Sequence, residues 1–225
     1  MSERPRQLAL ALDHAESYAR EDFLVGPCNE GPFQLVCCWP DWPANALALV
    51  GTEGSGKTHL AMIWAAMAGA RIISARALRD AEVPSALATG ALVVQDAAAG
   101  ADDRALFHLI NLAREDSAAL LFTARSTPAT WPVAVPDLLS RLRALSVVTL
   151  QAPDDAMLRA VIVKLAADRQ LALDESVVAF IATRIERSFA AARAAVIALD
   201  NEALRQRRAP TRALAAELFR DYHEW

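Results

Sequence analysis

The segment Gly51-Thr52-Glu53-Gly54-Ser55-Gly56-Lys57-Thr58 decides the fold of this chain. It fits the pattern Gly-x-x-x-x-Gly-Lys-Ser/Thr at every fixed position. The flanks fit as well. Ala46–Val50 reads as a short buried strand, and a helical stripe of Leu60, Ile63, Trp64 and Met67 follows Lys57. Glycines let such a loop turn tightly, so that successive backbone N–H groups point inward at an anion. The N-terminus of the next helix adds partial positive charge. Lys57 is placed to reach β- and γ-phosphates, and the Thr58 hydroxyl to ligate Mg2+. His59 extends the same segment. Lys57 is one of only two lysines, the other being Lys164.

Outward from the loop, strand and helix alternate. Arg71–Ser74, Ala91–Val94, Ala119–Thr123 and Ser146–Leu150 read as further strands. Leu106, Leu109, Ile110 and Ala113 stripe one intervening helix, and residues 136–145 form another. The expectation is an α/β P-loop NTPase: a five-stranded parallel sheet with helices on both faces. Upstream, the stretch 22–29 leads into a helix that Pro40 and Pro43 must end. After Pro153 the alternation stops. Stripes at Leu158, Val161, Ile162 and Leu165, at Val177, Val178, Ile181 and Ile185, and at Ala192, Val196, Leu199 and Ala203 predict three helices. Thr211 can cap a fourth that carries Leu214 and Leu218. The organisation expected is an N-terminal segment 1–16, a nucleotide-binding domain 17–150 and a small all-helical lid domain 151–225.

Composition narrows the function. The chain has 225 residues, 54% hydrophobic and 6% aromatic, with a net charge of −4. Ala, Leu and Val therefore build the core, and no strongly basic surface speaks for a dedicated DNA-binding domain. Cys28, Cys37 and Cys38 are odd in number and lack zinc-ligand spacing, as expected of reduced thiols in a cytoplasmic protein. No signal-peptide pattern opens the chain, and no charge-free apolar run is long enough for a membrane span.

Further residues carry chemistry. Asp96 ends the third strand, placed to hold Mg2+ directly or through water. Many ATPases have a second acid there to polarise the attacking water. Here Ala97 follows Asp96, and if Asp96 is the second acid, Gln95 stands where the first should be. One member of the pair is missing either way, so slow hydrolysis by the chain alone is expected. Thr123, at the end of the next strand, is a candidate to sense the γ-phosphate or orient water. Arg141, with Arg143 as the weaker candidate, sits at a helix end from which a guanidinium can enter a neighbouring subunit's site. Arg187 and Arg193 are candidates to reach the phosphates from the lid, whereas Arg205, Arg207 and Arg208 read as a solvated helix end. The run Gln7-Leu8-Ala9-Leu10-Ala11-Leu12 suits either an extra strand or a short peptide captured in another protein's apolar pocket.

Taken together, these residues resemble the AAA+ ATPases of the DnaA family, and within it the short regulatory inactivators of the replication initiator. The resemblance covers nearly the whole chain. It rests on residues 23–29, the P-loop, Asp96, the strand end Phe122-Thr123-Ala124-Arg125, residues 136–142 and the helical lid. It implies ADP or ATP with Mg2+ as ligands, and adenine near Val25, Gly26, Pro27 and Asn29. It implies an arginine finger acting in trans at Arg141. It also implies docking of Gln7, Leu8, Leu10 and Leu12 on the sliding clamp, the β subunit of DNA polymerase III. The partners implied are DnaA and that clamp, and a finger acting in trans is compatible with homo-oligomers. The function implied is negative regulation of replication initiation by stimulating hydrolysis in DnaA. Three departures stand out: the chain ends at Trp225, too soon for DnaA's helix-turn-helix domain; the acidic pair is incomplete; and the lid's sensor arginine aligns with Ala190, Arg193 lying about a turn later. Other readings are an initiator fragment, a helicase-loader relative, and a small-molecule P-loop kinase, for which the plain Ala/Leu/Arg lid offers no acceptor site.

Overall fold

A computed structural model of the chain describes residues 18–220. The described residues separate into two compact units, one ending at Ala152 and one beginning at Pro153.

The first unit opens with helix α1, Glu30–Cys37, which ends before Pro40 and Pro43. Strand β1, Ala46–Val50, runs into the glycine-rich loop, and helix α2, Lys57–Ala68, leaves it. There follow β2 (Arg71–Ser74), the short α3 (Val83–Ala86), β3 (Ala91–Gln95), α4 (Asp103–Glu115), β4 (Ala119–Ala124), α5 (Pro136–Arg143) and β5 (Ser146–Thr149). All pairings are parallel, in the order β2-β3-β4-β1-β5. The α/β P-loop arrangement expected from the alternation is therefore the one observed.

Side chains of a strand alternate between faces, and here both faces are covered. Ala48, Val50, Leu92, Val94, Leu120 and Phe122 pack with Leu106, Leu109, Leu138 and Leu142 of α4 and α5. Leu47, Leu49, Val93 and Leu121 pack on the other face with Leu60, Ile63 and Trp64 of α2. Burial on both faces explains why the central strands read as continuous apolar runs. The strand order also places the loop. After β1 the chain crosses to the far edge, returns through β3 and β4, and then passes to β5 on the other side of β1. The carboxyl end of β1 is thus where the direction of winding reverses, the usual place for a ligand in an open parallel sheet.

The second unit contains α6 (Asp155–Asp168), α7 (Glu175–Ala182), α8 (Phe189–Gln206) and α9 (Arg212–Leu218), with no strand among its described residues. Three of these four helix starts are capped by side chains, the start of α7 at Asp174 being the exception. Asp154 accepts from the Met157 N–H at 2.7 Å, Ser188 from Ala191 at 3.0 Å, and Thr211 from Leu214 at 3.4 Å. Leu158, Ile162, Val177, Ile181, Val196, Leu199 and Leu214 are buried, as the stripes predict, while Leu165 and Leu218 are only half-buried. Of the arginines singled out here, Arg187 pairs with Asp155 at 2.9 Å. Arg205 hydrogen-bonds Glu202 at 2.7 Å, and that bond holds the Glu202 carboxyl down to about 2. Among the described residues no helix is long and apolar enough to cross a membrane.

Candidate nucleotide site

Backbone geometry shapes the loop first. Gly54 and Gly56 have φ of 69° and 93°, the left-handed region that favours glycine. Gly51 needs to be glycine for a different reason. A Cβ there would lie 2.8 Å from the Leu150 carbonyl oxygen and 2.6 Å from Ser55 Oγ. The Leu150 contact is backbone, so it cannot be relieved by a rotamer change. Gly51→Ala is therefore expected to cost about 1–3 kcal/mol of stability, the range for overpacking a filled site. Denaturant unfolding of the variant checks this, and an unchanged midpoint would show that the loop and β5 can part.

Lys57 opens α2 and is buried to 8% exposure. Its Nζ donates to the Gly51 carbonyl at 2.8 Å and to the Thr52 carbonyl at 2.6 Å. Burial pushes the ammonium below the usual lysine range. Asp96 opposes that shift, Arg125 adds to it, and Glu53 opposes it. The charged form is thus short of anionic partners, which is what a polyphosphate supplies. Ser55 is also buried, and its Oγ has no hydrogen-bond partner. Gly56 stands at the N-cap of α2 without a side-chain cap bond. A pre-shaped glycine loop, an under-compensated buried cation, an orphaned hydroxyl and an open helix N-terminus together fit a phosphate group. Thr52, Glu53 and Thr58 are exposed on the same loop and first turn.

Asp96 is the first residue beyond β3, exposed and in a left-handed conformation with φ 54°. Its N–H donates to Thr123 Oγ1 at 3.1 Å, and the Ala97 N–H donates to the Thr123 carbonyl at 2.9 Å. Thr123, 3% exposed, therefore holds the Asp96 turn against the end of β4. Its hydroxyl hydrogen is left for a second partner. Ala97, where a second acid would stand, is buried. Thr58 and Asp96 are hard oxygen donors of the type Mg2+ takes, with phosphate and water completing its shell. Among the described residues no cluster of three or more His, Cys, Asp or Glu side chains forms a metal site.

The other expected residues are placed as follows. Asn29 is buried. Its Oδ1 accepts from the Gly26 N–H at 2.8 Å and its Nδ2 donates to the Leu24 carbonyl at 2.9 Å, so the amide is spent on shaping its own loop. Val25, 46% exposed, and the exposed Pro27 are the apolar surfaces of that loop. The imidazole of His59 lies 3.0 Å from the Ala19 carbonyl and edge-on to Tyr18 and Phe23. It thereby ties residues 18–23 to α2. Arg141 is half-buried, its guanidinium 5.5 Å over the Phe107 ring of α4, and among the described residues no carboxylate pairs with it. Arg143 is exposed. Arg193 lies on α8 of the second unit. Gln7, Leu8, Leu10 and Leu12 lie outside the described residues.

One member of the cluster was given no role by the sequence beyond closing the strand end 122–125. Arg125, directly after β4, pairs with Glu53 of the loop at 2.7 Å. The available signal was its position: carboxyl ends of parallel strands beside the winding reversal carry ligand-facing residues.

No family model matches the chain, and no curated protein matches it in sequence. Solved structures do. Domain III of the replication initiation protein DnaA from Thermotoga maritima superposes with a TM-score of 0.77 at 21% identity, over 92% of this chain and 98% of that one. The replication initiator DnaA bound to AMPPCP and single-stranded DNA gives 0.67 at 18% identity, over 84% of this chain and 68% of that one. A RuvB variant from Thermotoga maritima gives 0.64 at 18% identity, over 78% of this chain and 61% of that one. The chain therefore has the α/β P-loop fold seen in DnaA domain III and in RuvB.

Proposed function

We propose that this chain is an adenine-nucleotide-binding AAA+ regulator of the Hda type. With the DNA-loaded sliding clamp, it stimulates ATP hydrolysis by DnaA and so shuts off initiation. The observation that carries the nucleotide part is Lys57, a buried ammonium held by two loop carbonyls inside a glycine-shaped anion cradle. The likeness to a DnaA structure bound to AMPPCP supports adenine as the base. ADP or ATP is held by the N–H groups of residues 51–58 and by Lys57. Thr58 and Asp96 hold Mg2+, which supplies charge neutralisation at the phosphates. Val25 and Pro27 offer the apolar surface for adenine. Arg193 serves the lid. With Ala97 where a second acid would polarise water, intrinsic turnover is slow, and the chain acts mainly on its partner.

The regulatory part rests on Arg141, a half-buried guanidinium with no carboxylate partner among the described residues, and on the resemblance of Gln7 to Leu12 to a clamp-binding peptide. The test is conversion of ATP-bound DnaA to its ADP form in the presence of this chain and DNA-loaded clamp. Acceleration that needs both is expected. The Gln7→Ala/Leu8→Ala double variant should lose clamp binding and stimulation while its melting temperature stays unchanged. A lowered melting temperature with clamp affinity retained would make the segment structural instead.

A further inference from the structure

The pair formed by Glu53 and Arg125 joins the phosphate loop to the end of β4 at 2.7 Å. Beside it the Gly51 N–H donates to the Ala124 carbonyl at 3.2 Å, so the two backbones are held together where the side chains meet. Arg125 and Glu53 are both close enough to act electrostatically on the Lys57 ammonium, as is Asp96. Two cations and two carboxylates thus gather at one anion cradle. We infer that Arg125 is a phosphate-binding residue of the nucleotide site, and that Glu53 competes with phosphate for its guanidinium. The inference rests on the nucleotide reading above.

The reasoning is one of shared geometry. A guanidinium fork fits a carboxylate and a phosphate in the same way, so the donors given to Glu53 are withheld from a phosphate. Glu53 is the only acid within the loop sequence 51–58, and its carboxylate takes the guanidinium donor that a phosphate would use. The two side chains are 68% and 74% exposed, which leaves both free to swing. An exposed pair of this kind costs little to break, so a polyphosphate can displace the carboxylate. Glu53 is then a built-in anion that lowers nucleotide affinity and is exchanged on binding.

Calorimetric titration with ADP and with AMPPCP, each with magnesium, tests this on the full chain, on Glu53→Gln, on Arg125→Ala and on the double variant. Glu53→Gln should tighten binding about threefold, the scale of an exposed ion pair. Arg125→Ala should weaken it about tenfold, the scale of one charge-assisted contact. The double variant should bind as weakly as Arg125→Ala, because the competition acts through Arg125. All four melting temperatures should agree within about 2 °C, since an exposed pair contributes little to stability. Unchanged affinity in Arg125→Ala overturns the inference and leaves the nucleotide reading intact. So does a Glu53→Gln gain that survives without Arg125. Failure of the unaltered chain to bind either nucleotide removes both.

Discussion

Replacing Arg141 with alanine should remove about a thousandfold or more of the stimulation of DnaA hydrolysis proposed for this chain. That is the lower end of what an arginine supplied in trans contributes. The guanidinium lies over Phe107 and is half-buried, with no carboxylate to hold it among the described residues. A cation–π contact at such a site contributes only about 0.5–1 kcal/mol, so the side chain can be given up to another molecule's phosphates cheaply. The same figure bounds the effect on folding, and the variant's melting temperature should shift by only a few degrees. Nucleotide binding by the variant should be intact, since Arg141 lies on α5 and the phosphate cradle on the β1–α2 connection. Arg141→Lys should fail nearly as badly, because a point charge lacks the planar fork that matches phosphate. Single-turnover hydrolysis of ATP-bound DnaA, with clamp and DNA present, measures the effect. Full stimulation by Arg141→Ala would move the role to the exposed Arg143 of the same helix.

Lys57→Ala should weaken ADP binding by about a hundredfold or more, which two charge-assisted hydrogen bonds in a buried site supply. Lys57 is a point charge in the cradle rather than part of the apolar core. Burial already disfavours its charged form, so removing it relieves a cost while two carbonyls lose a donor. These effects oppose each other, and the variant should melt within a few degrees of the unaltered chain. Calorimetry with ADP and magnesium reads the affinity, and circular dichroism reads the fold. Undiminished affinity would show that the helix N-terminus and loop N–H groups suffice, and would remove Lys57 from the site.

Several features were legible in the chain because they are local. The loop could be read from Gly51 to Thr58 because each fixed position answers to its immediate backbone. Gly54 and Gly56 take conformations that a side chain disfavours. The strands were legible because a sheet covered on both faces demands unbroken apolar runs, and Leu47 to Val50 and Leu120 to Phe122 supply them. The helices α2, α4, α6, α7 and α8 followed from their stripes, and the start of α9 from the Thr211 hydroxyl, whereas the short α3 carries no stripe. Spacing alone carries this information, since periodicity reports which face of an element is covered.

Periodicity does not report which elements lie side by side. The order β2-β3-β4-β1-β5 sets β4 against β1 although two strands intervene in sequence. That adjacency brings Arg125 to Glu53 and ties Ala124 to Gly51. The neighbouring pairing of β3 with β4 puts Thr123 Oγ1 under the Asp96 N–H. Asn29 and His59 carry the same lesson. Each is a polar side chain expected at the nucleotide, yet one bonds its own turn and the other the segment at Ala19. A polar group takes whichever partner the packed chain leaves within about 3 Å. The residue types for phosphate binding were therefore written locally, while the partner of each polar side chain was chosen by the order of the strands.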